Sequence, residues 1–234
     1  MLYLHEISVN SYACGPPQFV QKTKEIDASS AMKCMEQLIR DYTSKLTQAL
    51  GMKAMQRVPA LAAALRDAWQ AKRSVFLCGN GGSAGNAVHL ANDMLYGVGL
   101  NNRRGGLKVE ALSANAAVLT CLANDIGYDR IYSEQLRVKA EADDVLIVLS
   151  GSGNSANVVK ALEMGNQIGM KTFAILAFDG GRCRSLAQHA IHFPIDDMQI
   201  AEDLQLTIGH LCMQWLYANP IHEIAPKMSS EADQ

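Results

Sequence analysis

Short apolar runs alternate with helix-period patterns of apolar residues along most of this chain. The runs predict five buried strands, over residues 74–78, 108–112, 145–149, 172–177 and 190–193. The stretches between them have helical spacing, and a last long helix is predicted over residues 200–217. Near-continuous apolar strands that alternate with helices are typical of a parallel sheet covered on both faces. The sequence therefore predicts a three-layer α/β fold.

The chain before the first strand is predicted to contain a leader and two helices. Apolar residues at helical spacing cover residues 30–50 and 58–72. The preceding segment shows no clear period and contains a Gly-Pro-Pro sequence, which breaks regular structure. We predict three regions: a leader (1–29) that is either partly disordered or an interface strap, a single domain that includes the N-terminal helices (30–220), and a flexible tail (221–234).

Composition narrows the class of protein. The 234-residue chain is 49% hydrophobic and has a formal net charge of −2, so it can bury a substantial core without offering a large basic surface. We therefore expect no nucleic acid partner. The six cysteines show no CxxC spacing, and no apolar run reaches the length of a membrane span or a signal sequence. These features predict a cytoplasmic protein without membrane association.

Two loops rich in glycine and serine each follow a predicted strand and precede a helical pattern. The first loop is Cys78-Gly79-Asn80-Gly81-Gly82-Ser83, and the second loop is Ser150-Gly151-Ser152-Gly153-Asn154-Ser155. Free N–H groups and the positive dipole end at a helix N-terminus attract anions, and serine hydroxyls add donors. Two such loops predict a phosphorylated ligand between two strand ends. The alternative is that these serines only cap helices and form turns.

A nucleotide-binding function is a weaker interpretation of the same loops. The first loop does not have the G-x-G-x-x-G pattern, and the chain lacks the Walker A lysine. The strand that ends at Leu112 is followed by Ser113 rather than by an acidic residue that could bind a ribose. We therefore favour a phosphorylated ligand that is not a dinucleotide.

At these loops the chain resembles the sugar isomerase (SIS) domain family, and within it the phosphoheptose isomerases. The resemblance covers residues 30–217 and also rests on the sequences Ala123-Asn124-Asp125-Ile126-Gly127-Tyr128 and Asp179-Gly180-Gly181. It implies a five-stranded parallel flavodoxin-like sheet, a homotetramer and active sites shared between subunits. It also implies that a sugar phosphate binds through a set of loop residues: Asn80, Gly81, Gly82, Ser83, Asn115, Ser150, Ser152 and Ser155. Gly151 stands where the family usually has threonine.

The resemblance further implies a metal site. His89 and Asp93 lie four residues apart on a predicted helix and therefore share a face. They match the family's histidine and glutamate, whereas Glu202 and His210 match its glutamine and second histidine. Two imidazoles and two carboxylates suit zinc or a similar ion. Asp93 and His210 are the implied catalytic base and acid, and the alternative is that these histidines are packed or solvated without a metal.

Three further departures from the family concern charged residues that contact the substrate. The chain has Val98, Asn115 and Gln199 where the resemblance implies an arginine and two acidic residues, although Asp196 and Asp197 lie near the last position. The leading hypothesis is an aldose–ketose isomerase that converts sedoheptulose 7-phosphate to a heptose 7-phosphate through an enediol. The alternatives are a non-catalytic regulator that binds a phosphosugar or a protein partner, and an isomerase or lyase for another sugar phosphate.

Overall fold

The computed structural model describes residues 28–101 and 105–221. The predictions for the leader and the tail concern residues that lie almost entirely outside these ranges. Two compact units are distinguished, residues 1–41 and residues 42–234. In the first unit, helix α1 (Ala28–Leu50) begins and carries four exposed apolar side chains: Met32, Met35, Leu38 and Ile39. Helix α1 continues into the second unit, which contains the sheet.

The second unit is built on a five-stranded parallel sheet. Its strands are β1 (Ser74–Cys78), β2 (Lys108–Ala111), β3 (Val145–Ser150), β4 (Lys171–Leu176) and β5 (His189–His192). The strand order is β2-β1-β3-β4-β5, and every neighbouring pair is parallel. This is the flavodoxin-like order, in which the chain changes direction between β1 and β3. The predicted fold class is therefore confirmed.

Helices connect the strands and cover the sheet. They are α2 (Val58–Ala71), α3 (Gly82–Asn92), α4 (Ala116–Asp125), α5 (Ser133–Lys139), α6 (Ala156–Ile168), α7 (Gly181–Leu186) and α8 (Met198–Ala218). A 3₁₀ turn, Lys53–Arg57, precedes α2, and a π-helical turn, Asp93–Gly97, follows α3. Among the described helices, none is both long and apolar enough to cross a membrane.

The core consists of two apolar layers, one on each face of the sheet. Successive strand residues point to opposite faces, so Leu77 packs with α2, α3 and α8 whereas its neighbour Cys78 packs with α5 and α6. Strands β1 and β3 are buried at every position, which explains why their sequences are almost continuously apolar. Their carboxyl ends lie next to each other because β1 and β3 are hydrogen-bonded neighbours.

Candidate functional site

The first loop connects β1 to α3 through backbone that requires glycine. Gly81 has φ +56° and ψ −124°, a combination that side chains disfavour. A Cβ atom on Gly79 would lie 2.8 Å from the Leu149 carbonyl oxygen and equally close to Ser83. The loop therefore packs tightly against the end of β3, and the first turn of α3 directs its free N–H groups to the carboxyl edge of the sheet.

Ser83, in the first turn of α3, belongs to a chain of oriented hydrogen bonds. Asn86 Nδ2 donates to Gln205 Oε1 at 3.0 Å, and Gln205 Nε2 donates to Ser83 Oγ at 3.0 Å. Ser83 and Gln205 are both buried. Because the Ser83 oxygen accepts from an amide, its own hydroxyl hydrogen is free to donate elsewhere. Gln205 thus prepares Ser83 as a donor toward the loop.

The second loop holds three serines in different environments. Ser150 is buried at the end of β3 and its Oγ accepts from Gly153 N at 3.0 Å. Ser152 is exposed, and its Oγ accepts a longer bond of 3.4 Å from Asn154 N. Ser155 precedes α6 but makes no capping hydrogen bond through its side chain. Turn formation therefore explains Ser150 and Ser152, whereas capping does not explain Ser155.

Side-chain amides join the two loops. Asn80 and Asn157 exchange two hydrogen bonds of 2.8 Å, one in each direction. The Tyr128 hydroxyl also donates to Asn80 Oδ1 at 3.2 Å, and the buried Tyr132 hydroxyl donates to the Gly79 carbonyl. Burial raises the pKa of Tyr132, so its hydroxyl keeps the proton that it donates. The two loops are therefore braced against each other before any ligand binds.

Gly151 in the second loop lies where there is little space for a side chain. A Cβ atom at this position would lie 2.9 Å from Met198 Sδ and 3.2 Å from Phe178 Cε2. The space that a threonine side chain would need is thus occupied by the first residue of α8 and by an aromatic ring. The absence of a side chain at Gly151 and the position of Met198 are therefore two parts of one packing arrangement.

At the other end of α3, the structure brings together three of the four predicted metal ligands. His89 Nε2 and His210 Nε2 are 3.0 Å apart, and Asp93 Oδ2 is 3.4 Å from each of them. We call these three residues the His–Asp–His cluster. Asp93 opens the π-helical turn, a distortion that is frequent at functional sites. The Asp93 side chain is 18% exposed and the two imidazoles are 50% and 40% exposed, so the cluster opens to solvent.

The donor set of this cluster fits a zinc ion. Zinc binds histidine nitrogen and carboxylate oxygen at about 2.0–2.2 Å, so ligand atoms around a tetrahedral ion are separated by roughly 3.3 Å. The three separations in the cluster, 3.0, 3.4 and 3.4 Å, are close to that value. Three protein ligands would leave the fourth position to water or substrate, as in catalytic zinc sites.

Glu202, the fourth predicted ligand, lies elsewhere. A Cβ atom on Gly82 would be 2.3 Å from Glu202 Oε1 and 2.6 Å from Oε2, so the carboxylate rests on the first turn of α3. It is not part of the group of mutually close ligand atoms formed by the described residues. The carboxylate therefore places a negative charge beside the predicted phosphate loop, where the helix dipole is favourable to it.

The remaining predicted positions have local structural roles. Asn115 Oδ1 accepts from Ala117 N and Val118 N at 3.1 and 3.2 Å, which makes Asn115 the N-cap of α4. Val98 is 1% exposed and belongs to the core. Asp197 is the N-cap of α8 and pairs with Lys45 at 2.9 Å, and this cation lowers the pKa of its carboxyl. Gln199 is exposed in the first turn of α8.

Sequence reasoning did not identify the residues that support the loops. Gln205, Asn157 and Tyr128 lie far from their hydrogen-bond partners in sequence. Gln205 could have been noticed as a polar residue within the apolar pattern of the last helix, because such a residue must find a partner when buried. Tyr128 belongs to one of the quoted family sequences, but nothing in the sequence indicates that it and Asn157 meet at Asn80.

Comparisons with known proteins agree with this architecture. The SIS domain model matches residues 39–177. A phosphoheptose isomerase from Chlorobaculum parvum is 33% identical over 174 residues, which cover 74% of this chain and 83% of the relative. One from Citrifermentans bemidjiense is 38% identical over 145 residues, 62% of this chain and 74% of the relative. The structure of phosphoheptose isomerase from Neisseria gonorrhoeae superposes with a TM-score of 0.70 at 25% identity, covering 79% and 99% of the two chains.

Proposed function

Because this chain belongs to the SIS domain family, as a relative of the phosphoheptose isomerases, we propose that it is an aldose–ketose isomerase for a phosphorylated sugar. The substrate that we propose is sedoheptulose 7-phosphate, which the enzyme would convert to the corresponding aldose 7-phosphate. The single observation that carries this proposal is the position of a His–Asp–His cluster at one end of α3 and a phosphate-type loop at the other.

The length of α3 supports a long, terminally phosphorylated substrate. Ser83 and His89 are six residues apart on one helix, which corresponds to about 9 Å along its axis. In a ketose 7-phosphate the phosphate and the reacting carbons C1 and C2 lie at opposite ends of the molecule. A phosphate held by the two loops would therefore let the other end of the sugar extend toward the cluster.

The loop residues would bind and orient the phosphate. Ser83, Ser152 and Ser155 offer hydroxyl donors, and Gly81 and Gly82 offer backbone N–H groups at the start of α3. Ser150 already accepts from Gly153, so its hydroxyl hydrogen can also point to the ligand. Asn80 is held by Asn157 and Tyr128, which fixes the first loop in position.

The reaction moves a hydrogen from C1 to C2 and the carbonyl from C2 to C1. Asp93 would remove the proton from C1, and the enediol would take it up at C2. His210 would give a proton to the oxygen on C2 as the enediol forms and take one from the oxygen on C1 as the enediol collapses, so that both residues return to their starting state. The Asp93 carboxylate is 18% exposed and its Oδ2 lies 3.4 Å from each imidazole, so the proposed base is mostly out of water.

We further infer that His89, Asp93 and His210 hold a zinc ion, with Glu202 as a fourth ligand only if its side chain leaves Gly82. When bound, the ion would polarise the two substrate oxygens and stabilise charge that develops on them. The donor types and their separations support this inference.

We also propose an oligomeric state and a cellular location for this protein. We infer a homotetramer, and the exposed apolar side chains at helical spacing on α1 support an interface with another copy. The described cysteines are all free thiols, which supports a location in the reducing cytoplasm. Sedimentation of the full chain would test the tetramer directly.

An assay on the purified full chain tests the proposed reaction. Sedoheptulose 7-phosphate is incubated with protein supplied with zinc, and formation of the aldose is followed by NMR. We expect turnover by the wild type, and loss of both zinc and turnover in His89→Ala and His210→Ala. His189→Ala is the matched control, because His189 stacks on Phe173 and lies outside the cluster. If the wild-type protein binds zinc but converts no ketose phosphate, the proposed isomerase activity is refuted.

A further inference from the structure

A concave basic groove lies beside the edge strand β5. It has a volume of about 370 Å³ and is lined by Lys53, Ala54, Arg57, Arg184, Ala187, Gln188, Ala190 and His192. The lining comes from three separate elements, namely the 3₁₀ turn before α2, the region of α7 and β5 itself. None of the residues assigned above to the phosphate loops or to the His–Asp–His cluster lines this groove. It is therefore a concave surface separate from the predicted active site.

The groove concentrates positive charge that the described part of the protein does not neutralise. Lys53, Arg57 and Arg184 form no ion pair with any described residue, and no carboxylate lines the groove. Arg182, two residues before Arg184, pairs with Glu163 at 3.0 Å. Three unpaired cations in one groove are notable in a chain whose net charge is −2. An anion could therefore bind without displacing a protein carboxylate.

Small side chains give the groove its depth. Ala54, Ala187 and Ala190 contribute only methyl groups between the long cationic side chains. His192 is fixed at the margin because its Nε2 lies 3.0 Å from the Phe178 carbonyl oxygen. The result is a recess with cations around it, in the size range of pockets that bind small ligands.

We propose that this groove is a second binding site, for a small metabolite that carries a phosphate group. Arg57 and Arg184 would bind phosphate oxygens in the bidentate geometry that guanidinium groups favour, and Lys53 would add a third charge. The site is separate from the one that would hold the reacting sugar phosphate, and it does not depend on the isomerase activity.

Calorimetry with inorganic phosphate as the probe tests the second site. The titrations use full-length Ser152→Ala/Ser155→Ala protein at low ionic strength, so that binding to the two loops is weakened. We expect phosphate to bind this protein, and Arg57→Gln/Arg184→Gln in the same background to lower its affinity at least tenfold. Arg182→Gln in the same background is the matched control, because it removes one charge from the same short helix outside the groove. The affinity of this control for phosphate should remain unchanged.

Two results would overturn the proposal. One is the absence of phosphate binding to the Ser152→Ala/Ser155→Ala protein. The other is equal affinity in the Arg57→Gln/Arg184→Gln and Arg182→Gln proteins. All of the substituted cations are exposed, so the variants should fold, and matching melting temperatures would verify this. The isomerase assay on Arg57→Gln/Arg184→Gln separates the two proposals, because turnover should be retained.

Discussion

The two serine loops and the His–Asp–His cluster lie at opposite ends of α3 and are held in contrasting ways. The loops follow buried strands and are fixed by backbone geometry and by internal hydrogen bonds such as the Asn80–Asn157 pair. The cluster consists of partly exposed side chains that contact one another, and Asp93 Oδ1 also accepts a long hydrogen bond of 3.4 Å from Asn92 Nδ2. The loops are thus held by several internal hydrogen bonds, whereas we propose that a bound ion or substrate fixes the geometry of the cluster.

Substitution of Asp93 should have the largest effect, because it should lower catalysis by the cluster and leave phosphate binding by the loops unchanged. Asp93→Asn removes the proposed base and leaves the loops intact, so we expect kcat to fall by roughly 10²- to 10⁴-fold with little change in phosphate affinity. Asp93→Glu, which restores the residue implied by the family resemblance, should retain turnover. Steady-state kinetics with sedoheptulose 7-phosphate checks both. Asp67→Asn, on α2, is the control, and an Asp93→Asn protein with a tenth or more of wild-type kcat would exclude Asp93 as the base.

A substitution in the second loop tests how firmly packing holds it. Gly151→Thr inserts a side chain against Met198 and Phe178, so we expect a loss of about 1–3 kcal/mol in the free energy of unfolding. Met198→Ala should offset part of that loss, because the methionine fills the space that threonine needs. Denaturant unfolding of both single variants and the double variant measures the coupling. Strictly additive effects would show that Met198 does not occupy the space at Gly151.

Removal of the Gln205 amide should weaken the first loop without affecting the cluster. Gln205→Met leaves the Ser83 oxygen without its donor, so its hydroxyl can turn away from the ligand. A buried group left unpaired costs about 1–3 kcal/mol, and we expect KM to rise roughly tenfold with kcat nearly unchanged. Gln214→Met, an exposed position on the same helix, is the control. A fall in kcat at constant KM would place Gln205 with the cluster instead.

Neutralisation of Glu202 should have the smallest effect, and it tests whether Glu202 acts at the loops or at the His–Asp–His cluster. Glu202→Gln removes a negative charge from the first turn of α3, where it competes with a bound phosphate. A charge at a helix terminus is worth about 0.3–1 kcal/mol, so phosphate affinity should increase roughly two- to fivefold. Calorimetry at low and high salt measures this change. A loss of bound zinc in Glu202→Gln protein would show instead that Glu202 reaches the His–Asp–His cluster.

Much of the fold could be predicted from the sequence because its signals are local. The predicted strands and the last helix agree with the structure to within two residues at each end, and β3 extends to Ser150 because that residue pairs with Leu176. The positions of Glu202 and Asn115 could not be predicted in the same way. Helical spacing gives the face on which Glu202 lies, but not whether its carboxylate turns to the metal or to Gly82.

The sequence by itself determined the alternation of strands and helices, the family, and the two loops that follow β1 and β3. The strands, helices and loops have local signals, since apolar periodicity, glycine conformation and free N–H groups at helix starts are set within a few residues. Only the tertiary structure decided which side chains meet. His89 and His210 are 121 residues apart in sequence, and Arg184 comes from a different element than Lys53 and Arg57, which share the 3₁₀ turn. Their proximity follows from the packing of α3 against α8 and of the 3₁₀ turn against β5, which no local pattern specifies.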